Sequence, residues 1–193
     1  MSLLDEWQVP EPSPYFGSVV LYPSDAVSTE RLVEEAAKHD GIVFIRTTRR
    51  ETPILYGPEE KFAIGGSKVL RKSEKDRATV IGAGVTLYEA LAAYEALRKE
   101  GVFIRVIDLY SIKPVDEKTL REAASTTQSI ITVEDHFEEG GIGETVKSAL
   151  SASPVPIHSL AVRKKPKSGK PEELLDYEEI SRAAIIKKVK EVI

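Results

Sequence analysis

The sequence predicts an α/β fold: an open, mostly parallel sheet with helices on both faces, preceded by a partial β-α-β unit. Three features predict it. Apolar runs of strand length alternate with stripes of helical period along most of the chain. Glycines fall between them, where strands and helices must turn. One run, Ile42-Val43-Phe44-Ile45, is apolar at every position, as in a strand covered by helices on both faces.

The elements follow in order. Residues 1–17 carry Pro10, Pro12, Pro14 and Gly17, which predicts an irregular arm whose Trp7, Val9, Tyr15 and Phe16 lie against something. Val19-Val20-Leu21-Tyr22 is a strand stopped by Pro23. Asp25 or Ser28 caps a helix with Leu32, Val33, Ala36 and Ala37 on one face; Lys38 sits in its last turn, and Gly41 ends it. With the strand at Ile42 this makes one β-α-β unit, which cannot close a core alone. Residues 50–76 are a connection rich in proline, glycine and charge, with a short strand over residues 67–71. Then strands at residues 78–81, 102–107, 129–133 and 157–162 alternate with helices. The first helix carries Leu87, Ala90, Leu91, Tyr94 and Leu97 and stops at Gly101. The second is capped by Asp116, with Val115 placed to staple onto Leu120. The third presents Ile142, Val146, Ala149 and Leu150. Ser181 caps a terminal helix carrying Ile185, Val189 and Ile193.

A chain of 193 residues holds one ample core, or one domain plus part of another. Its net charge of −4 gives no reason to expect a nucleic-acid or anionic-membrane partner. The basic stretch Arg163-Lys164-Lys165-Pro166-Lys167 reads as a solvated loop, with an anion site as the alternative. There is no cysteine, which excludes disulfides, thiolate metal sites and a cysteine nucleophile. No run approaches the ~20 apolar residues of a membrane span. The amino terminus has no positive region and does not read as a secretory signal. The expectation is a soluble, cytoplasmic chain.

Three stretches could carry chemistry. Gly82-Ala83-Gly84 lies between a strand and a helix, with Asp108 ending the next strand. A dinucleotide fingerprint needs a third glycine where Leu87 stands, so a tight turn competes with a nucleotide site. Glu134, His136 and Glu138 precede a glycine-rich helix start at Gly140, Gly141 and Gly143. They allow a metal site, an anion at the helix start, or a loop that shapes an interface. Arg46-Thr47-Thr48-Arg49-Arg50 follows a strand, where a planar guanidinium suits a phosphate or a surface ion pair. His39 and His158 have no serine–acid arrangement visible around them and read as structural.

Five stretches, in order, resemble transketolases, above all the animal-type branch. They are Tyr22-Pro23-Ser24-Asp25-Ala26-Val27-Ser28-Thr29-Glu30, Phe44-Ile45-Arg46-Thr47-Thr48-Arg49 and Val80-Ile81-Gly82-Ala83-Gly84-Val85-Thr86-Leu87. Thr132-Val133-Glu134-Asp135-His136 with Glu139-Gly140-Gly141-Ile142-Gly143-Glu144 is the fourth, and Ser168-Gly169-Lys170-Pro171 the fifth. The resemblance implies that residues 18–66 are the tail of a pyrimidine-binding domain with its linker, and residues 67–193 a transketolase carboxy-terminal domain. It implies a part of an enzyme that moves a two-carbon ketol unit between sugar phosphates using thiamine diphosphate and Mg²⁺ (or Ca²⁺). Arg49 matches the family's arginine for the substrate phosphate. The family's catalytic glutamate, ring-stacking aromatics and metal ligands have no counterpart here, so no catalytic, cofactor or metal residue is assigned. The chain alone is expected to be inactive and to carry no bound cofactor. Its implied partners are the remaining transketolase domains or subunit, a second copy in a homodimer, and sugar phosphates. A non-catalytic binding or assembly module derived from the same domain is the alternative.

Overall fold

The computed structural model describes residues 17–49, 51–165 and 167–193. The arm with Trp7, Val9, Tyr15 and Phe16 lies outside the described residues, as do Arg50 and Pro166. Strand β1 (Val19–Leu21), helix α1 (Ala26–Ala36) and strand β2 (Val43–Ile45) form the expected β-α-β unit, its strands parallel. It does not stand alone. Strand β6 (Ser111–Lys113), which the sequence reading missed, pairs antiparallel with β1 and completes a sheet of order β2-β1-β6.

The second sheet has the order β3-β5-β4-β7-β8, built from β3 (Lys68–Arg71), β4 (Ala78–Gly82), β5 (Ile104–Asp108), β7 (Ser129–Phe137) and β8 (Ile157–Val162). Only β3 runs antiparallel to its neighbour. Strand alternation divides the core in two. Ala78, Val80, Ile131 and Val133 pack against α2 (Val85–Lys99) and α6 (Arg182–Val192). Ile81, Ile107 and Ile130 face the other way, onto α3 (Glu117–Thr126), α4 (Ile142–Ala149) and the side chains of Val20 and Tyr22. A third cluster joins Val19, Leu21 and Leu32 to Tyr56, Phe62 and Tyr110, the last three stacked edge to face at 4.9 Å. The amino-terminal unit therefore shares its core with the larger sheet.

Local signals explain the element starts. Asp25 and Ser28 cap α1 together: Asp25 Oδ1 accepts from Ser28 N at 2.7 Å, and Ser28 Oγ accepts from Asp25 N at 2.9 Å. Asp116 caps α3 through Thr119 N, with Val115 and Leu120 packed in one cluster. Helix α5 (Pro171–Tyr177), not foreseen, begins with Pro171 and two glutamates in its first turn.

Four expectations need correction. Strand β2 is only half-buried and Ile42 is 54% exposed, because among the described residues no strand pairs with the outer edge of β2. Val33 and Ala37 are exposed, since α1 packs on the sheet through Ser28 and Leu32, with Val27 beside them. Helix α1 stops at Ala36, so Lys38 lies beyond it and Gly41, at φ +145°, serves the turn into β2. Ser181 sits at the start of α6 but makes no side-chain capping bond.

Candidate functional site

The carboxyl ends of β1, β2, β4 and β7 meet at one place, which is where ligands gather in open α/β sheets. Arg46, just past β2, is buried and donates a backbone bond to Leu21 O at 2.8 Å. Its guanidinium reaches Asp135 on β7 through two bonds, Nη1 to Oδ1 at 2.8 Å and Nη2 to Oδ2 at 3.0 Å. It also lies over the Tyr22 ring, 4.4 Å from the centroid, and the Tyr22 hydroxyl donates to Asp135 Oδ2 at 3.0 Å. Burial alone would lower the Arg46 pKa; the Asp135 charge and hydrogen bonds outweigh it and hold the guanidinium charged. Burial and then Asp135 push the Tyr22 hydroxyl well above the ordinary phenol range.

This cluster fills the turn that resembled a nucleotide site. A Cβ on Gly84 would sit 2.0 Å from Tyr22 Cζ, so the ring occupies the space a phosphate would need. The Gly84 amide donates to Ser24 Oγ at 3.0 Å. Asp108, the candidate ribose ligand, is fully buried and accepts from Ser24 Oγ at 3.0 Å and Tyr56 OH at 2.6 Å. Burial raises its pKa to about 7, against the lowering effect of those two donors. The bland reading of Gly82–Gly84 as a tight turn is the correct one.

The glycine-rich helix start is filled from within the chain, by the Glu134 side chain. Its carboxylate is fully buried and accepts from Gly143 N at 3.2 and 3.3 Å. A Cβ on Gly141 would meet Glu134 Oε2 at 2.2 Å, and one on Gly143 would meet Glu134 Oε1 at 2.9 Å, so both glycines admit the carboxylate. Burial pushes Glu134 up to about 8 despite the backbone donors. His136 Nδ1 lies 3.5 Å from Glu134 Oε2 and 2.9 Å from Phe137 O; burial lowers its pKa, which keeps it neutral. Glu138 turns outward to Lys147 and Arg163, so the three do not converge. Among the described residues no group of His, Cys, Asp or Glu is arranged to hold a metal ion.

Arg49 lies three residues beyond Arg46, exposed at the rim and outside the buried cluster. The basic stretch is engaged with acids: Arg163 meets Glu138 and Lys164 meets Glu179. His39 touches Gly17 O, and His158 lies half-buried on β8. Sequence reasoning missed Tyr22 and Asp135. Their motifs stood in view, but only the fold brings positions 22, 46 and 135 together. The arrangement provides buried, mutually neutralised groups, with Arg49 exposed beyond them.

The transketolase carboxy-terminal domain family model matches residues 67–185. Transketolase-like protein 1 of Macaca fascicularis is 56% identical over 173 residues, 89% of this chain and 29% of the relative. Transketolase of Homo sapiens is 52% identical over 178 residues, 91% of this chain and 29% of the relative. The chain thus spans under a third of the relatives it matches. A solved structure described as "Split gene transketolase, inactive beta4 tetramer" superposes with a TM-score of 0.83 at 32% identity, over 91% of this chain and 57% of the other. Transketolase from Campylobacter jejuni shares the fold, with a TM-score of 0.71 at 16% identity over 91% of this chain and 26% of the other. With the family model and these identities in agreement, the chain belongs to the transketolase family.

Proposed function

We propose that this chain is the carboxy-terminal part of a thiamine-diphosphate-dependent enzyme that transfers a two-carbon ketol unit between sugar phosphates. The observation that carries the reading is identity above 50% over about nine-tenths of this chain with relatives of which it spans only 29%. Residues 18–66 are then the tail of the pyrimidine-binding domain with its linker, and residues 67–193 the carboxy-terminal domain. The cofactor and its metal ion belong to the complementary domains, which this chain meets as a partner in a homodimeric, cytoplasmic enzyme. When bound, thiamine diphosphate supplies the carbanion chemistry. This chain supplies Arg49, whose guanidinium takes the phosphate of the sugar substrate by charge-assisted hydrogen bonds.

The test is complementation. The purified chain, given thiamine diphosphate, Mg²⁺, a ketose phosphate and an aldose phosphate, should show no transfer alone. Transfer should appear when the part of the human relative that precedes the region matched by this chain is added as a separate chain. Transfer by the lone chain, or none by a mixture that assembles, would overturn the proposal. A non-catalytic assembly module is a second reading, favoured by the neighbour described as an inactive tetramer. An assembled mixture without activity would favour it.

A further inference from the structure

We propose that Asp135 is a positioning residue for the anion-binding rim: it holds Arg46 in a two-point buried ion pair, and so fixes the path of residues 47–49 that presents Arg49. The inference rests on the reading of Arg49 as the phosphate ligand and adds the group that aims it.

Strand β2 ends at Ile45, and the last ladder bond in this direction is Arg46 N to Leu21 O at 2.8 Å. The chain then leaves the sheet. Arg46 is its last buried residue there, and Thr47 and Arg49 are exposed. Three peptide units span about 11 Å at full extension, so the position of Arg46 bounds where Arg49 can lie. Backbone bonding alone fixes one side of Arg46. The other side is fixed by the guanidinium, which crosses to β7, 89 residues away in sequence, and meets both carboxylate oxygens of Asp135. A third bond joins Arg46 Nη2 to the Asp135 carbonyl at 3.4 Å. Tyr22 closes the arrangement with its ring against the guanidinium and its hydroxyl on Oδ2. The planar fork has one geometry against a carboxylate, so the pair sets an orientation that a point charge would not.

Removing the carboxylate charge leaves a buried guanidinium facing an amide. Its relief is to swing into water, and the segment it belongs to must move with it. An ion pair that only stabilised the fold would not confine its effect to residues 47–49.

The test uses the full chain labelled with ¹⁵N. Order parameters of Thr47, Thr48 and Arg49 should lie near the rigid level of about 0.85 and fall below about 0.6 in Asp135→Asn, with Val20, Leu21 and Phe44 unchanged. Phosphate-induced shifts at Arg49 should need at least about fivefold more inorganic phosphate in the variant. If Asp135→Asn does not fold, Tyr22→Phe keeps the ring and removes only the hydroxyl bond to Oδ2; it should lower the same three order parameters to a smaller extent. Unchanged order at these residues in the folded variant, or an equal loss along β1 and β2, would overturn the positioning role. Absence of any Arg49 shift with phosphate in the unmodified chain would count against the phosphate reading alone, so the two failures are told apart.

Discussion

The close fit of Tyr22 into the turn before α2 gives a sharp test through Gly84→Ala. An added Cβ would fall 2.0 Å from Cζ, 2.2 Å from Cε2 and 2.5 Å from the hydroxyl oxygen of Tyr22. The ring has nowhere to retreat, since Arg46 lies against it and its hydroxyl is bonded to Asp135. Overpacking costs about 1–3 kcal/mol. Weakening the hydroxyl bond to a charged acceptor adds about 1–2 kcal/mol. The backbone at φ +54° adds about 1–3 kcal/mol for a residue with a Cβ. Gly101→Ala is the internal control. It has a positive φ of +78° but nothing within 4 Å of the new Cβ, so only the strain applies. The difference between the two variants is about 2–5 kcal/mol, or about 4–20 °C in Tm for a chain of this size. Thermal unfolding followed by circular dichroism, with urea titration at one temperature, measures it. In a Tyr22→Ala background the Gly84→Ala penalty should shrink to the strain alone. Equal losses at Gly84 and Gly101, or no relief in that background, would refute the argument that the ring fills the turn.

Other outcomes follow from the same geometry. Arg49→Gln in the complemented enzyme should raise KM for phosphorylated substrates by about 10–100-fold, the loss of a charge-assisted bond, with little change in kcat; an unaltered KM would remove Arg49 from the site. Glu134, raised to about 8, and Asp108, raised to about 7, bind protons more tightly in the folded state than in the unfolded one. Stability is therefore fullest below the ordinary carboxyl range and falls as pH rises through those values. Between about pH 7.5 and 9 the lowered His136 is neutral in the folded state and nearly so in the unfolded one, and Glu134→Gln should flatten the decline by roughly 1 kcal/mol; parallel curves would contradict the assignment. Thr132 Oγ1 and Ser159 Oγ are buried with no hydrogen-bond partner among the described residues. Thr132→Val and Ser159→Ala should each be neutral or stabilising by up to about 1 kcal/mol in urea unfolding; a clear loss in either would mean that its hydroxyl is bonded.

The strands and helices with strong local patterns were legible: β4, β8 and α2 follow from period and turn residues alone. What escaped has a physical reason in each case. Strand β6 is three residues, Ser-Ile-Lys, with no alternation of its own; it exists because β1 offers an edge. The pattern of β3 announces a strand but carries no information on direction, and the antiparallel pairing with β5 is a property of the partner. The apolar run of β2 was read as buried on both faces. Among the described residues no strand pairs with its outer edge, and Ile42 stays exposed. Helix α5 could have been found from Pro171 and the two glutamates after it.

The same contrast holds at the site, and it explains why residue type misled. The groups that look most chemical in sequence are engaged inside the fold: Glu134 by Gly143 N, His136 by Phe137 O, Asp108 by Ser24 and Tyr56, and the Gly84 turn by Ser24. Burial converts each from a candidate reactant into a structural partner, because an ionisable group cut off from water is stable only with its own donors or its proton. Arg46 and Arg49 are of one type and three residues apart, yet the sheet edge separates them. One is drawn into the interior by Asp135 and Tyr22, and the other is left at the rim. Two arginines at that spacing after a strand therefore meet different surroundings, one buried as an anchor and one exposed. Which arginine meets which is decided by where the ladder ends, at Arg46 N and Leu21 O.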